Sequence, residues 1–359
     1  MGVYFIRRFF YSILLVFFAL SLIFFVVNAL PGSPFDRMRR ELSERRPSGA
    51  APIADSHWAR LDALLGLDHP LHERYIAWVQ NMVTGELGES WSINPGTSVV
   101  DVLMARLPYT LLLLIVSVLL SFGLALLIGM YAALNPYTEG DFFLTFLSFF
   151  GMCMPTFWVG SLLISLFSVG LNWLPYNGVV TPALIDKGDI VKLLARIFTL
   201  GSAYPQMAGS EWDVLLDGLK HLILPTIALS LYSVARWSRY IRSSFLEVLR
   251  QEYVTTARAK GVPEWLVLSK HVLQNSLIPV ITILALDIPM LFTGSFLTEV
   301  VFSWPGLGRL YMDSMRQNDS PVLMGLLVIF TYLIVFSNLF ADILHAWIDP
   351  RVKRSLLNE

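Results

Sequence analysis

Six stretches of the chain are apolar over about twenty or more residues, and each is long enough to cross a lipid bilayer. Each such segment is expected to be a helix, because the hydrocarbon core offers no hydrogen-bond partner to backbone N–H and C=O groups, and a helix satisfies these groups internally. Only 15% of the residues are charged, against about 25% in soluble domains. We therefore predict an all-α, polytopic membrane protein with about six transmembrane helices, at Phe9 to Leu30, Leu111 to Leu134, Phe142 to Leu171, Leu219 to Trp237, Leu277 to Phe302 and Val322 to Trp347.

Basic residues near the ends of these spans predict the orientation of the chain. Arg7 and Arg8 precede the first span, the 238–276 loop is rich in arginine and lysine, and a basic tail follows residue 350. With six spans, all three regions fall on one side, so we expect both termini and this loop to be cytoplasmic. The first span is longer than the apolar region of a signal peptide, which favours a retained anchor helix.

The spans divide the chain into four predicted parts. These are the first span (1–30), a long extracytoplasmic loop (31–107), a core of five spans (108–350) and a cytoplasmic tail (351–359). Helical spacing of apolar residues predicts two short amphipathic helices in the first outer loop, around 61–65 and 75–79, and one around 190–198 in the second, 172–218. The first loop fits a lid or spacer as well as a binding element. Pro155 and Pro225 are expected to break spans three and four.

The most informative polar segment is the 238–276 loop. Residues 251–260 favour a short helix, Gly261 ends it and Pro263 begins another, which is the punctuation of two helices meeting at a sharp angle. Small residues at 255–257 and 259 leave one face of the first helix able to approach another surface closely. We therefore expect a projecting cytoplasmic helix that docks on a partner. The alternative is a basic amphipathic loop lying on anionic lipid.

At this loop the sequence resembles the permease subunits of bacterial ABC importers of the dipeptide, oligopeptide and nickel class. The segment "EYVTTARAKGVPEWLVLSKHVLQNSLIP" stands where such permeases carry their EAA loop, with Thr255, Thr256 and Ala257 in place of Glu-Ala-Ala and Gln274 in place of a proline. Further landmarks follow in the family's order: "LPGSP", "LGLDHPL", "GELGES", "RLPYTL", "PTFW", "EVVFSWPGLGRL" and "DPR". The resemblance implies a type I importer permease fold with a coupling helix formed by Glu252, Tyr253, Thr256, Ala257, Arg258, Ala259, Lys260 and Gly261.

A second element implied by the resemblance is the turn that follows the fifth span. In the family this region faces the translocation path and the binding protein, which would place Trp304, Pro305, Gly306, Gly308 and Arg309 there. The alternative is a plain turn with a tryptophan anchored at the membrane interface. Asp287 is grouped with these residues because an ionisable residue at membrane depth signals a functional role. Its side chain is expected either to face the translocation path or to pair with a neighbouring subunit.

The resemblance implies an ATP-driven importer of peptides in the bacterial plasma (inner) membrane. Its partners would be a paralogous second permease, two ATPase subunits that bind ATP and Mg, an extracytoplasmic substrate-binding protein and the lipid bilayer. We expect no catalytic residue, metal or cofactor on this chain, since it contains no "GxxxxGK[ST]", "GxSxG" or "HExxH" motif. Its net charge of -1 gives no reason to expect a nucleic acid partner.

Alternative functions differ from this one in the sequence features that they require. The same class of transporter carrying nickel chelates or oligosaccharides is the nearest alternative. An ATP-independent secondary transporter would require inverted repeats and paired ionisable groups in the spans. An intramembrane enzyme would require a nucleophile and a base at matched depth. Neither of these explains the two helices meeting at Gly261.

Overall fold

The computed structural model describes residues 2–29, 69–187, 189–191 and 209–348, and most of these residues are helical. Within the described residues, five helices are long and apolar enough to span a membrane, and the number is six if a bent pair of helices forms one span. This confirms the all-helical, multi-spanning prediction. The helices are α1 (Gly2–Ala29), α2 (Leu71–Thr84), α3 (Val99–Leu134), α4 (Glu139–Cys153), α5 (Thr156–Leu163), α6 (Gly209–Leu249), α7 (Glu252–Ala259), α8 (Glu264–Leu266), α9 (Gln274–Val301), α10 (Leu307–Arg316) and α11 (Ser320–Ile348).

The third predicted span is a bent pair of helices rather than one straight helix. Helix α4 and the helix that runs from Thr156 through a π-helical turn to Gly170 meet at 104°. The break lies at Pro155, as predicted, and Met154 before it has an extended backbone. Cys153 is exposed beside this break.

The second predicted proline break is wrong. Helix α6 continues through Pro225, and α9 likewise continues through Pro279 and Pro289. Spanning helices tolerate internal proline because neighbouring segments and small local adjustments satisfy the freed carbonyl. The helix also extends from residue 209 to 249, well beyond the predicted 219–237.

The described residues divide into two compact units, of which the first comprises those within 1–10, 107–309 and 333–359. Its core surrounds Trp237 of α6, with leucines and isoleucines contributed by α3, α6 and α9. Ion pairs join its helices: Arg242 donates two hydrogen bonds to Asp141, at 2.7 and 2.6 Å. Arg8 of α1 donates to Asp342 of α11 at 2.5 Å.

The second unit comprises the described residues within 11–106 and 310–332. Helix α2 packs Tyr75 and Trp78 against Phe24 of α1, which confirms the predicted amphipathic helix around 75–79. Asp319, just before α11, accepts hydrogen bonds from the hydroxyl of Ser90 and from the three backbone N–H groups of residues 91–93. Burial raises the pKa of the Asp319 carboxyl, but these four donors outweigh burial and hold it below its usual value.

Several predicted elements lie outside the described residues or differ in extent. The predicted helix around 61–65, most of that around 190–198 and the 351–359 tail fall outside them. Helix α3 begins at Val99, inside the predicted 31–107 outer loop, because its apolar pattern starts before the proline at 108. A ten-residue helix, α10, follows the fifth span and was not predicted.

Candidate functional site

Helix α7 is a separate two-turn helix between the long helices α6 and α9. It begins after Gln251, whose backbone is extended, and ends before Gly261, whose φ of 75° lies in the left-handed region. The Val262 N–H then donates to the Ala257 carbonyl at 3.2 Å, and Pro263 directly precedes α8. The structure therefore confirms the predicted pair of helices and the glycine between them. We refer to residues 252–264 as the corner.

The two faces of α7 differ in their surroundings. Val254 and Ala257 are buried in a cluster with Phe245 of α6 and with Val267 and Val272 of the segment before α9. The opposite face exposes the side chains of Glu252, Tyr253, Thr255, Thr256, Ala259 and Lys260.

This geometry corrects the predicted role of Ala257. Its small side chain permits close approach to the chain's own helices, not to an outside surface, because only 8% of it is exposed. A docking partner would meet the other face. The predicted ATPase-coupling role of the exposed residues stays a prediction.

One ion pair braces the corner. The guanidinium of Arg258 donates to both carboxylate oxygens of Glu264, at 2.6 and 3.2 Å, and so joins α7 to α8 across Gly261. The hydrogen bond from Arg258 to this carboxylate raises the pKa of the arginine. A bidentate pair of this kind fixes an angle as well as a distance. We infer that it limits the angles that the corner adopts.

The second predicted element, residues 302–309, is an internal turn. Trp304 is fully buried, and its indole N–H donates to the Tyr109 carbonyl at 2.9 Å. The idea of a tryptophan anchored at the membrane interface is therefore wrong, because the ring packs within the chain's own core. In this turn, Ser303, Pro305 and Arg309 are partly exposed. The role of the turn in the translocation path stays a prediction.

The residue that organises this turn is Glu299, a fully buried carboxylate near the end of α9. It accepts hydrogen bonds from the Thr110 hydroxyl at 2.8 Å, the Gly308 N–H at 2.7 Å and the Arg309 N–H at 3.3 Å. A Cβ at Gly308 would lie 2.7 Å from the Phe296 Cα, and one at Gly306 would clash with the carboxylate. The glycines of "WPGLG" are therefore needed for close packing around Glu299.

Sequence reasoning overlooked Glu299 although the signal was present. An ionisable side chain in an apolar run is rare, and Asp287 was predicted to be functional on that ground, although Glu299 and Arg236 meet the same criterion. The structure pairs Asp287 within its own chain: it accepts from the Trp237 indole N–H at 2.8 Å and lies 3.2 Å from the Arg236 guanidinium. A partner from another subunit is not needed to satisfy this carboxylate.

Comparison with known proteins gives a consistent result. A family model described as "Binding-protein-dependent transport system inner membrane component" matches residues 125–354. The oligopeptide transport system permease protein AppB of Bacillus subtilis (strain 168) is 38% identical over 98% of this chain and 100% of its own length.

Two further relatives agree. The di/tripeptide transport system permease protein DppB of Pseudomonas aeruginosa (strain UCBPP-PA14) is 35% identical over 94% of this chain and 95% of its own. The dipeptide transport system permease protein DppB of Escherichia coli (strain K12) is 32% identical over 92% of this chain and 93% of its own. Both similarities include the corner and the Trp304 turn, since they extend over nearly the whole chain.

Proposed function

Because the chain belongs to the family of inner-membrane components of binding-protein-dependent transport systems, we propose that it forms half of the translocation pathway of an ATP-driven peptide importer. It is a multi-pass inner-membrane permease component and is not itself catalytic. The family description implies a binding protein and a transport complex. The further partners that we propose are a paralogous second permease and two ATPase subunits, which hold the ATP and Mg.

Peptides are the proposed substrate because the relatives that match nearly the whole chain are named as oligopeptide, di/tripeptide and dipeptide permeases. Nickel chelates and oligosaccharides are alternatives within the same transporter class.

The observation that carries the coupling mechanism is the two-faced helix α7. Its buried face joins the spans through Val254 and Ala257, and its other face exposes Tyr253 and Thr256. A helix held on one side by the spans and open on the other is suited to transmit the movement of a bound motor to the spans. We propose that an ATPase subunit binds this exposed face on the cytoplasmic side. Both termini would then be cytoplasmic.

The test is a tyrosine variant compared with a matched tyrosine elsewhere. In the assembled transporter, reconstituted in liposomes with its binding protein, Tyr253→Ala should lower ATP-dependent uptake of a labelled dipeptide by about tenfold or more, because a central interface aromatic is lost. Tyr137→Ala is the control, because this tyrosine is also exposed, at 75%, but lies outside α7. It is in the connection before α4, and α4 pairs through Asp141 with Arg242 near the end of α6 that leads to α7. The control variant should keep uptake within about twofold of the parent.

The control also separates this function from its rivals. Equal uptake by both variants would contradict docking on α7. Dipeptide uptake that proceeds without ATP would instead favour a secondary transporter.

A further inference from the structure

A cleft of about 470 Å³ lies between α4 and α6, near the end of α6 that leads to α7. Three arginines on successive turns of α6 line it, Arg236, Arg239 and Arg242, together with the hydroxyl groups of Thr145 and Ser243. The guanidinium groups can only donate hydrogen bonds, and the hydroxyls can also donate. The cleft is therefore suited to an acceptor-rich, negatively charged group.

Two of these arginines are held in place by carboxylates. Asp141 binds Arg242 through two hydrogen bonds, and Asp287 lies 3.2 Å from Arg236. Both aspartates are buried, whereas the guanidiniums remain partly exposed to the cleft. The donors are thus fixed before a ligand arrives, which reduces the entropy lost on binding.

Arg239 gives the cleft one positive charge that no aspartate in it neutralises. Among the residues that the structure describes, its guanidinium lies 4.1 Å from the centre of the Phe149 ring and 3.8 Å from the Met152 sulfur, with no carboxylate in ion-pair range. Three arginines and two aspartates give a net charge of +1. Arg239 also contacts α4, through Phe149 and Met152, and no aspartate neutralises it among the described residues.

The cleft opens beside a row of phenylalanines on α4. Phe142, Phe146, Phe149 and Phe150 share one face of this helix, and each is between 49% and 67% exposed. Phe146 and Phe150 stack with their ring centres 6.4 Å apart, and Arg239 covers Phe149. An exposed apolar row directly continuous with a cationic cleft is complementary to a molecule with an anionic head and a hydrocarbon tail.

We propose that this cleft binds the phosphate of an anionic phospholipid, whose acyl chain lies along the phenylalanine row. The three arginines lie at the end of the apolar stretch 219–237 or within five residues after it, where a spanning segment meets the headgroup layer. Basic pockets between spanning helices are recognised sites for anionic headgroups. The proposal requires only that the chain spans a bilayer, so it does not depend on the docking role of α7.

The experiment uses the full-length chain in neutral detergent, freed of bound lipid and titrated separately with dioleoyl phosphatidylglycerol, dioleoyl phosphatidylcholine and inorganic phosphate. Native mass spectrometry measures the bound fraction. Phosphatidylglycerol should bind at least about tenfold more tightly than phosphatidylcholine, which has the same chains but no net charge. Inorganic phosphate should compete weakly, because it cannot use the phenylalanine row.

Two arginine variants provide the matched comparison. Arg239→Gln should weaken phosphatidylglycerol binding by about tenfold, since a charge-assisted hydrogen bond to phosphate is lost. Arg250→Gln removes the same charge from an exposed position one residue beyond α6, outside the cleft, and should change binding by less than about twofold. Phe146→Ala changes an exposed position, where misfolding is not expected. It should also weaken the binding of phosphatidylglycerol but leave the binding of inorganic phosphate unchanged.

Four results would overturn the proposal. Phosphatidylcholine could bind as tightly as phosphatidylglycerol, or both arginine variants could behave alike. Inorganic phosphate could displace the lipid at equal concentration, which would make the ligand a soluble anion. Finally, Arg239→Gln could release a copurifying subunit while leaving lipid binding intact, in which case a protein occupies the cleft.

Discussion

The corner at Gly261 and the turn at Trp304 use similar residues for opposite purposes. Both combine glycine, proline and an aromatic residue next to α9, one before it and one after it. At the corner, the aromatic residue Tyr253 is exposed and nothing lies within 4 Å of the place that a Cβ on Gly261 would occupy. At the turn, Trp304 is fully buried and Gly308 leaves no space for a Cβ.

The contrast shows that such a motif does not by itself reveal whether it serves the chain or a partner. At the corner, glycine is required by backbone conformation, because φ is positive there. At the turn, it is required by the close approach of Phe296 and Glu299. Substitutions at the turn should therefore affect mainly stability, and those at the corner mainly transport.

The largest effect on stability is expected for Glu299→Ala. The change leaves the N–H groups of Gly308 and Arg309 and the hydroxyl of Thr110 without their buried acceptor. Each buried donor without a partner costs about 1–3 kcal/mol, so the free energy of unfolding should fall by about 3 kcal/mol or more. Thermal unfolding of the full-length chain in detergent measures this change.

Glu299→Gln is the matched control for this prediction. The amide keeps one oxygen acceptor of the same reach, so it should retain a substantial part of the lost stability. If the alanine and glutamine variants were equally stable, the hydrogen bonds of Glu299 would not be what holds the turn.

Gly308→Ala is expected to have the next largest effect. Its Cβ would lie 2.7 Å from the backbone Cα of Phe296, which cannot move aside as a flexible side chain would, so a cost of about 1–3 kcal/mol is expected. Gly294→Ala in α9 is the control, because its Cβ would meet Leu229 at an ordinary 3.4 Å. In the same measurement, the free energy of unfolding of Gly294→Ala should equal or slightly exceed that of the parent. Equal losses at both glycines would refute the steric argument.

Much of the fold could be predicted from the sequence, because hydrocarbon imposes a strong length and composition rule on spanning segments. Local backbone rules also placed α7, Gly261 and Pro263 correctly. Proline was a poor guide inside the spans: Pro155 breaks its span, whereas Pro225 does not. The difference depends on packing around each residue, which no local pattern contains.

The candidate site was less predictable, because the sequence does not show which face of a helix meets its own chain. Ala257 was assigned to the docking face from its size and from the family resemblance, but the cluster that buries it is assembled from α6 and from residues before α9. Trp304 and Glu299 depend on Tyr109 and Thr110, nearly two hundred residues earlier in the chain. Contacts this distant are not readable from a single sequence.

The smallest effect is expected at the ion pair that braces the corner. Arg258 and Glu264 are both exposed to solvent, so Arg258→Glu should leave the unfolding temperature nearly unchanged. It should lower dipeptide uptake by about twofold or more if the pair sets the angle at which α7 meets its motor. The double variant Arg258→Glu with Glu264→Arg restores an opposite-charge pair across Gly261 and should recover uptake. If dipeptide uptake by the double variant were as low as by the single variant, Arg258 would act by contacting a partner directly. The corner would then differ from the turn, because no ion pair within the chain would fix its angle.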